Sequence, residues 1–235
     1  MKPASEMNNY ELARYMDYSI LKPEFTEETV ARLAKWGVEH KVRCIAVNPC
    51  WMDLCIPLCK GSESTVAPAV DFPFGNGTTA MRVAQIEDIA KRPEVIELDV
   101  VMNFGLLKSG KDEEVTRDLT ECAKAAHAHN IVIKVILETD ALTEEEIRRG
   151  CECIIAAGCD YIKTSTGFLT GRPLRGAAND VVQIVIDQNK GRVKVKGSGC
   201  VRTREHFMEL IDLGVDRIGL SYSSAPVVFG LEERL

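Results

Sequence analysis

The chain has 235 residues, 46% hydrophobic and 27% charged, with 9 Pro and 17 Gly, a composition that excludes a disordered or repetitive protein. Its formal charge of -6 argues against nucleic-acid or anionic-membrane partners, which call for clustered Lys and Arg. No run of about 18 apolar residues offers a membrane span, and the polar opening Met1 to Tyr10 lacks the apolar stretch of a signal peptide, so a cytoplasmic location is expected.

Along the chain, short β-branched runs alternate with segments of helical period. The first run, Met16 to Leu21, is followed by Thr26 with acids behind it, a helix start, and by Gly37, where a left-handed cap would close that helix. Arg43 to Asn48 and Thr65 to Asp71 read as the second and third strands, and Thr79 opens the helical AMRVAQIEDIAKR. Val95 to Val101 and Val132 to Leu137 follow, then Thr143 leading into EEEIRRGCECIIAA, with Gly158 as its cap. Tyr161 to Lys163, Val193 to Lys196 and, after a cap at Gly214, Arg217 to Leu220 complete the set. Eight strand–helix units in this length predict an α/β fold, a (β/α)8 TIM barrel forming a single domain over residues 1–235. The nine cysteines are odd in number and lie mostly in apolar stretches, so reduced thiols are expected. Cys50, Cys55 and Cys59 contain no CxxC pair, and no metal is expected there.

In such barrels chemistry sits where the strands end, so polar residues closing apolar strands are the candidates. Asp99 follows VIEL, Lys134 lies in VIKVILET, Lys163 ends DYIK and Lys196 ends RVKVK. A lone lysine at a strand end reads most simply as a paired core residue. Three lysines and an acid converging on one end point instead to covalent catalysis, in which a neutral amine attacks a carbonyl to form an iminium. A lysine that reacts near neutral pH needs about 4 kcal/mol of bias toward the free amine. A second ammonium about 7 Å away supplies roughly 2.4 kcal/mol at an effective dielectric near 20, and burial supplies the remainder. His127 and His129, at i and i+2, do not share a helix face and no HExxH occurs, so no metal is expected. The glycines of GSG and RIGLS, after the seventh and eighth strands, are where barrels commonly hold a phosphate.

Over nearly its whole length the sequence resembles the deoxyribose-phosphate aldolases, class I aldolases on a (β/α)8 barrel. The resemblance is carried by DYSILKPEFT, CIAVNP, FPFGNGTTAMRVAQ, ELDVV, KVILET, GCDYIKTSTGF, VKGSGCVRT and DRIGLS, in that order, with IKTSTGF the most specific string. It implies Lys163 as the Schiff-base nucleophile, Lys196 as the neighbouring ammonium that lowers its pKa, and Asp99 as the acid of a water-assisted proton relay, with Lys134 holding Asp99 charged. It implies Gly167, Gly199, Cys200, Arg202, Gly219 and Ser221 around the substrate phosphate. The implied reaction is reversible cleavage of 2-deoxy-D-ribose 5-phosphate to D-glyceraldehyde 3-phosphate and acetaldehyde, without metal or organic cofactor, in a homodimer or homotetramer. The competing readings are a related Schiff-base aldolase with another, or a non-phosphorylated, acceptor, and a non-catalytic sugar-phosphate binding protein.

Three positions depart from the family pattern: Cys200 in place of a second glycine, Tyr222 in place of a small hydroxyl residue, and Asp71 where Gly or Asn is common. All three are expected at the barrel mouth, where Cys200 and Tyr222 would weaken the preference for a phosphorylated sugar and Arg172 and Arg175 would partly compensate. Lys194, two residues before Lys196, is expected on the same face, nearer the strand's start.

Overall fold

A computed structural model describes residues 2–232 and 235. Eight strands, β1 Met16–Ile20, β2 Cys44–Val47, β3 Thr65–Val70, β4 Glu97–Val101, β5 Val132–Ile136, β6 Tyr161–Lys163, β7 Lys194–Ser198 and β8 Arg217–Ser221, pair in parallel and in chain order. The circuit closes where Asp17 of β1 registers with Gly219 of β8. The α-helices are α1 Asn9–Ala13, α2 Glu27–Glu39, α3 Met52–Cys59, α4 Thr79–Ile89, α5 Phe104–Lys108, α6 Asp112–Ala128, α7 Glu144–Ala156, α8 Asn179–Asn189, α9 Arg204–Leu213 and α10 Ala225–Phe229. This is the (β/α)8 barrel that the strand–helix rhythm predicts, with strand limits displaced by at most two residues. No helix among the described residues is long and apolar enough to cross a membrane.

Most helix punctuation follows the sequence. Thr26 caps α2 by accepting from Thr29 N, and Thr143 caps α7 in a reciprocal box with Glu146. The cap of α4 is Thr78, one residue earlier than expected. Gly158 and Gly214 take positive φ at the ends of α7 and α9. Gly37 does not: it lies inside α2, where a Cβ would come within 2.6 Å of Ile45 Cδ1. It is a contact glycine that lets α2 approach the sheet, and the chain turns at His40 and Lys41 instead.

Period-2 alternation sorts each strand into two environments. Leu98, Val100, Ile133, Val135, Ile162, Val195, Ile218 and Leu220 join one apolar core with Leu33, Ile86, Leu119 and Phe207 of the helices. The alternate residues Asp17, Glu97, Asp99, Lys134, Lys163, Lys196 and Arg217 contact one another inside the barrel. All nine cysteines are free thiols, seven of them buried, as expected of small apolar residues.

Asp71 departs from the expectation that it faces the mouth. Its φ is 51°, its Oδ2 accepts from Gly77 N at 2.7 Å and Arg82 Nε at 2.9 Å, and its backbone N donates to Gln85 Oε1. Arg82 has no exposed surface and also donates to Asp118 Oδ2 and Gly75 O. One guanidinium thus clamps the loop that carries Phe72 to Phe74 onto α4 and α6. Removing one partner of such a buried network costs about 3–5 kcal/mol. Arg82→Met is therefore expected to lower unfolding free energy by that order in urea titrations.

Candidate active site

The strand register delivers the lysines to one place: Lys134 lies opposite Asp99 on the neighbouring strand, and Lys163 opposite Lys196. Lys163 Nζ donates to Asp99 Oδ2 at 2.6 Å and Lys196 Nζ to the same oxygen at 2.8 Å. Lys134 Nζ reaches Asp99 Oδ1 at 3.4 Å. Asp99, Lys134, Lys163 and Lys196, chosen from sequence, are therefore one constellation, and all four are at most 4% exposed.

Three further charged residues, not singled out from sequence, complete it. Asp17 Oδ2 lies 2.6 Å from Lys196 Nζ, Glu97 Oε2 lies 2.7 Å from Lys134 Nζ, and Arg217 bridges Asp17 at 2.6 Å and Glu97 at 2.9 Å. Period 2 was the available signal for Glu97, two residues before Asp99, as it was for Arg217, two before Gly219. Gly219 is required by bulk, since a Cβ there would meet Lys196 Cε at 3.2 Å and Ser198 Oγ at 2.5 Å. Asp17, Cys44 and Glu97 bring potential metal ligands within 4.8 Å of one another, but Lys134, Lys196 and Arg217 already occupy the carboxylates, so this donor set does not suit a cation.

The charge count decides which group gives up a proton. Four bases, Lys134, Lys163, Lys196 and Arg217, face three acids, Asp17, Glu97 and Asp99. Burial pushes the Asp99 carboxyl up, but Lys163, Lys196 and Lys134 together hold it well below the usual carboxylate range. Burial likewise works against the Lys196 ammonium and is overcome by Asp17 and Asp99, so its pKa is raised; Lys134, faced by Glu97, Asp99 and Asp17, is raised well above normal. Lys163 alone moves down, to about 8: burial is the largest cause, Asp99 opposes it, and the Lys196 ammonium adds to it. Burial thus outweighs the second ammonium, the reverse of the weighting expected from sequence. With Lys163 neutral the interior balances, three charges against three.

The IKTSTGF string holds Lys163 from above. Thr164 Oγ1 donates to Ser198 O and accepts from Ser198 N, Ser165 Oγ meets Thr139 Oγ1 at 2.7 Å, and Thr166 Oγ1 donates to Glu138. Glu138 was also missed; it is buried with φ 61°, and burial raises its carboxyl pKa. Beyond the string, Gly199 has φ 90° and packs backbone against backbone on Gly176, with Ala177 N donating to Gly199 O at 2.9 Å.

Gly167, Gly199, Cys200, Arg202, Gly219 and Ser221 all line one cavity of about 650 Å³ at the barrel mouth. Cys200 has φ 59°, in the left-handed region that a glycine would occupy without strain. Tyr222 lines the same cavity, with its ring edge-on to Phe25 at 5.2 Å. Arg172 and Arg175 do not reach this cavity: Arg172 donates to Asp140 O, and Arg175 is paired with Asp180. The cation that does stand there besides Arg202 is Lys22, its Nζ 5.9 Å from the Tyr222 ring centroid. An adjoining apolar cavity of about 690 Å³, lined by Leu21, Trp51, Phe72, Phe74, Phe104 and Phe168, shares Leu21 and Phe168 with the polar one.

No model of a protein family matches the chain. Curated relatives do. A deoxyribose-phosphate aldolase of Desulfitobacterium hafniense is 39% identical over 215 residues, spanning 92% of this chain and 96% of its own length. One from Bacillus cytotoxicus is 37% identical over 217 residues, spanning 92% and 95%. Among solved structures, an aldolase designated QR15 superposes with a TM-score of 0.84 at 32% identity, covering 93% of this chain and 94% of that one. The tetrameric deoxyribose phosphate aldolase of Aeropyrum pernix superposes with a TM-score of 0.85 at 26% identity, covering 95% and 91%.

The unequal bases give opposite mutational signs. The native pKa of Lys163 lies below its ordinary 10.5, so its charged form costs the folded state about 3 kcal/mol at pH 7, and that cost fades as pH rises from about 8 toward 10.5. Lys163→Met is expected to stabilise the protein at pH 7 by up to that amount, with the gain shrinking by pH 10. Lys196→Met, which strips Asp17 and Asp99 of a partner, should instead cost about 3–5 kcal/mol. Urea denaturation of the three proteins at pH 7 and 10 separates these outcomes.

Proposed function

The chain belongs to the deoxyribose-phosphate aldolase family, and we propose that it reversibly cleaves 2-deoxy-D-ribose 5-phosphate to D-glyceraldehyde 3-phosphate and acetaldehyde through a Schiff base on Lys163. It is a carbon–carbon lyase. The observation that carries the assignment of roles is the shared Asp99 oxygen, which two lysines of opposite pKa displacement contact at 2.6 and 2.8 Å.

In the cleavage direction the Lys163 amine attacks C1 of the open-chain sugar, and its proton passes to Asp99, whose carboxylate is already within hydrogen-bond reach. The C1 oxygen takes one proton from solvent water to become a hydroxyl and a second, returned through water by Asp99, as it departs as water, leaving an iminium. The C3 hydroxyl then loses its proton, through water, to the Asp99 carboxylate, and the C2–C3 bond breaks. Its electrons flow into the iminium, releasing glyceraldehyde 3-phosphate and leaving an enamine. Protonation at C2 and hydrolysis free acetaldehyde and restore the amine. Lys196, held charged by Asp17, keeps the nucleophile from regaining its proton and stabilises the Asp99 carboxylate. Lys134 does the same from the other oxygen.

At the mouth, Arg202 and Lys22 supply positive charge and the turns at Gly167, Gly199, Cys200, Gly219 and Ser221 supply backbone for the substrate phosphate. The strain of a non-glycine residue at Cys200, about 1–2 kcal/mol, reduces the precision of that cradle. A wider range of acceptor aldehydes is the second reading, favoured by the apolar cavity beside it. Cytoplasmic location and assembly as a homodimer or homotetramer belong to the same proposal; the tetrameric Aeropyrum pernix relative supports the latter.

Reduction with borohydride in the presence of acetaldehyde should inactivate the protein irreversibly, and peptide mapping should place an added ethyl group on Lys163. An adduct confined to other lysines would remove Lys163 from the nucleophile's role. Lys22→Gln and Arg202→Gln should each raise KM for the phosphorylated sugar about tenfold or more, the worth of one charge-assisted hydrogen bond, while leaving free deoxyribose unaffected. Steady-state kinetics with both sugars measures this.

A further inference from the structure

A separate cavity of about 580 Å³ opens at the other end of the barrel, where the strands begin. Glu97, Tyr161, Lys194 and Arg217, the first residues of β4, β6, β7 and β8, line it together with Arg43, which precedes β2. Here the basic groups outnumber their partners. Arg217 is committed to Asp17 and Glu97, and Arg192, also on the wall, to Glu152. The other two acids of the wall are held by local hydrogen bonds and pair with neither Arg43 nor Lys194: Asp160 Oδ2 accepts from Ile133 N and lies 2.9 Å from His127 Nε2, and Asp216 Oδ2 accepts from Val195 N.

Two cations are left over. The half-buried Arg43 guanidinium has no hydrogen-bond or ion-pair partner among the described residues, and the Lys194 ammonium has only the face of the Tyr161 ring, 5.6 Å away. Close by, Arg14 donates to the carbonyls of Lys41, Val42 and Glu63. Burial, then Arg43 and more weakly Arg217, lower its pKa, so these guanidinium groups feel one another. Glu97 and Arg217 belong both to this wall and to the charged network of the barrel interior. A concave wall with unmatched guanidinium and ammonium groups is the arrangement that binds a compact oxyanion, because guanidinium N–H pairs match two oxygens at once.

We propose that this cavity binds a small multivalent oxyanion, a phosphate monoester or diphosphate, through Arg43 and Lys194. The site is independent of the substrate-phosphate cavity, which lies at the opposite end of the strands. Its contact with Arg217 and Glu97 places the bound anion against the far end of the charged network whose near end is Lys163.

Calorimetric titration of the full chain with inorganic pyrophosphate at low salt tests this. Three proteins are compared: the parent, Arg43→Gln with Lys194→Gln, and Lys22→Gln with Arg202→Gln at the mouth. The expected result is pyrophosphate binding by the parent, a class of sites weakened tenfold or more in the Arg43/Lys194 variant, and the same class intact in the mouth variant. The Arg43/Lys194 variant should keep the parent's kcat in pyrophosphate-free buffer and its urea midpoint. Because Arg43 is half-buried, the single exposed substitution Lys194→Gln is run in parallel and should by itself weaken that class severalfold. Binding unchanged in the Arg43/Lys194 variant, or none in the parent, overturns the proposal. If the mouth variant alone loses binding, the anion sits only with the substrate phosphate, and this inference fails while the proposed function stands.

Discussion

One carboxylate sets the terms for the rest of the interior. Asp99 Oδ2 accepts from two lysines, and Asp99 Oδ1 is approached by a third. Three ammonium groups around one carboxylate cannot all be compensated by it, and in a buried barrel water cannot make up the difference. Asp17 and Glu97 meet that demand for Lys196 and Lys134, and Arg217 ties those two acids together. Lys163 is the base left with Asp99 alone, which is why burial depresses its pKa while its neighbours stay charged. How the carboxylates are shared thus sets Lys163 apart from the other two lysines.

The loops above this network are built to a different rule. They must place backbone groups at the mouth without relying on regular secondary structure, and they do so by short side-chain contacts between successive strand ends. Thr164 grips Ser198, Ser165 meets Thr139, and Thr166 binds Glu138. The result stitches the ends of β5, β6 and β7 into one rim. On the far side, the Arg82 clamp fixes the loop that carries Phe72, whose ring stands edge-on to Phe168 at 5.1 Å. The polar and apolar cavities meet at Phe168, so both clamps shape the passage between them.

The two ends of the barrel differ in how their charges are matched. Deep between them, every acid has a basic partner within 2.9 Å and every base an acidic one. Toward the strand starts, Arg43 and Lys194 have no acid as partner among the described residues. Lys194 begins on the same face as Lys196, as alternation requires, but the strand start leaves it exposed over Tyr161 instead of buried among carboxylates. Position along the strand, and not side-chain type, separates these two lysines.

The sequence by itself determined the strand count, the parallel order and the face on which Asp99, Lys134, Lys163 and Lys196 lie, because alternation of period 2 and the caps at Thr26 and Thr143 are local properties. It also located the mouth residues, since a glycine-rich turn after a strand reads directly from the chain. Tertiary structure alone decided how the charges pair. Asp17 meets Lys196 across 179 positions of sequence, and neither alternation nor spacing ranks one acid over another for a given lysine. The weighting of burial over the second ammonium at Lys163, the engagement of Arg172 and Arg175 away from the mouth, and the turning of Asp71 onto Arg82 have the same origin. Each depends on which distant groups closure of the barrel brings within a few ångströms, and local sequence carries no record of those distances.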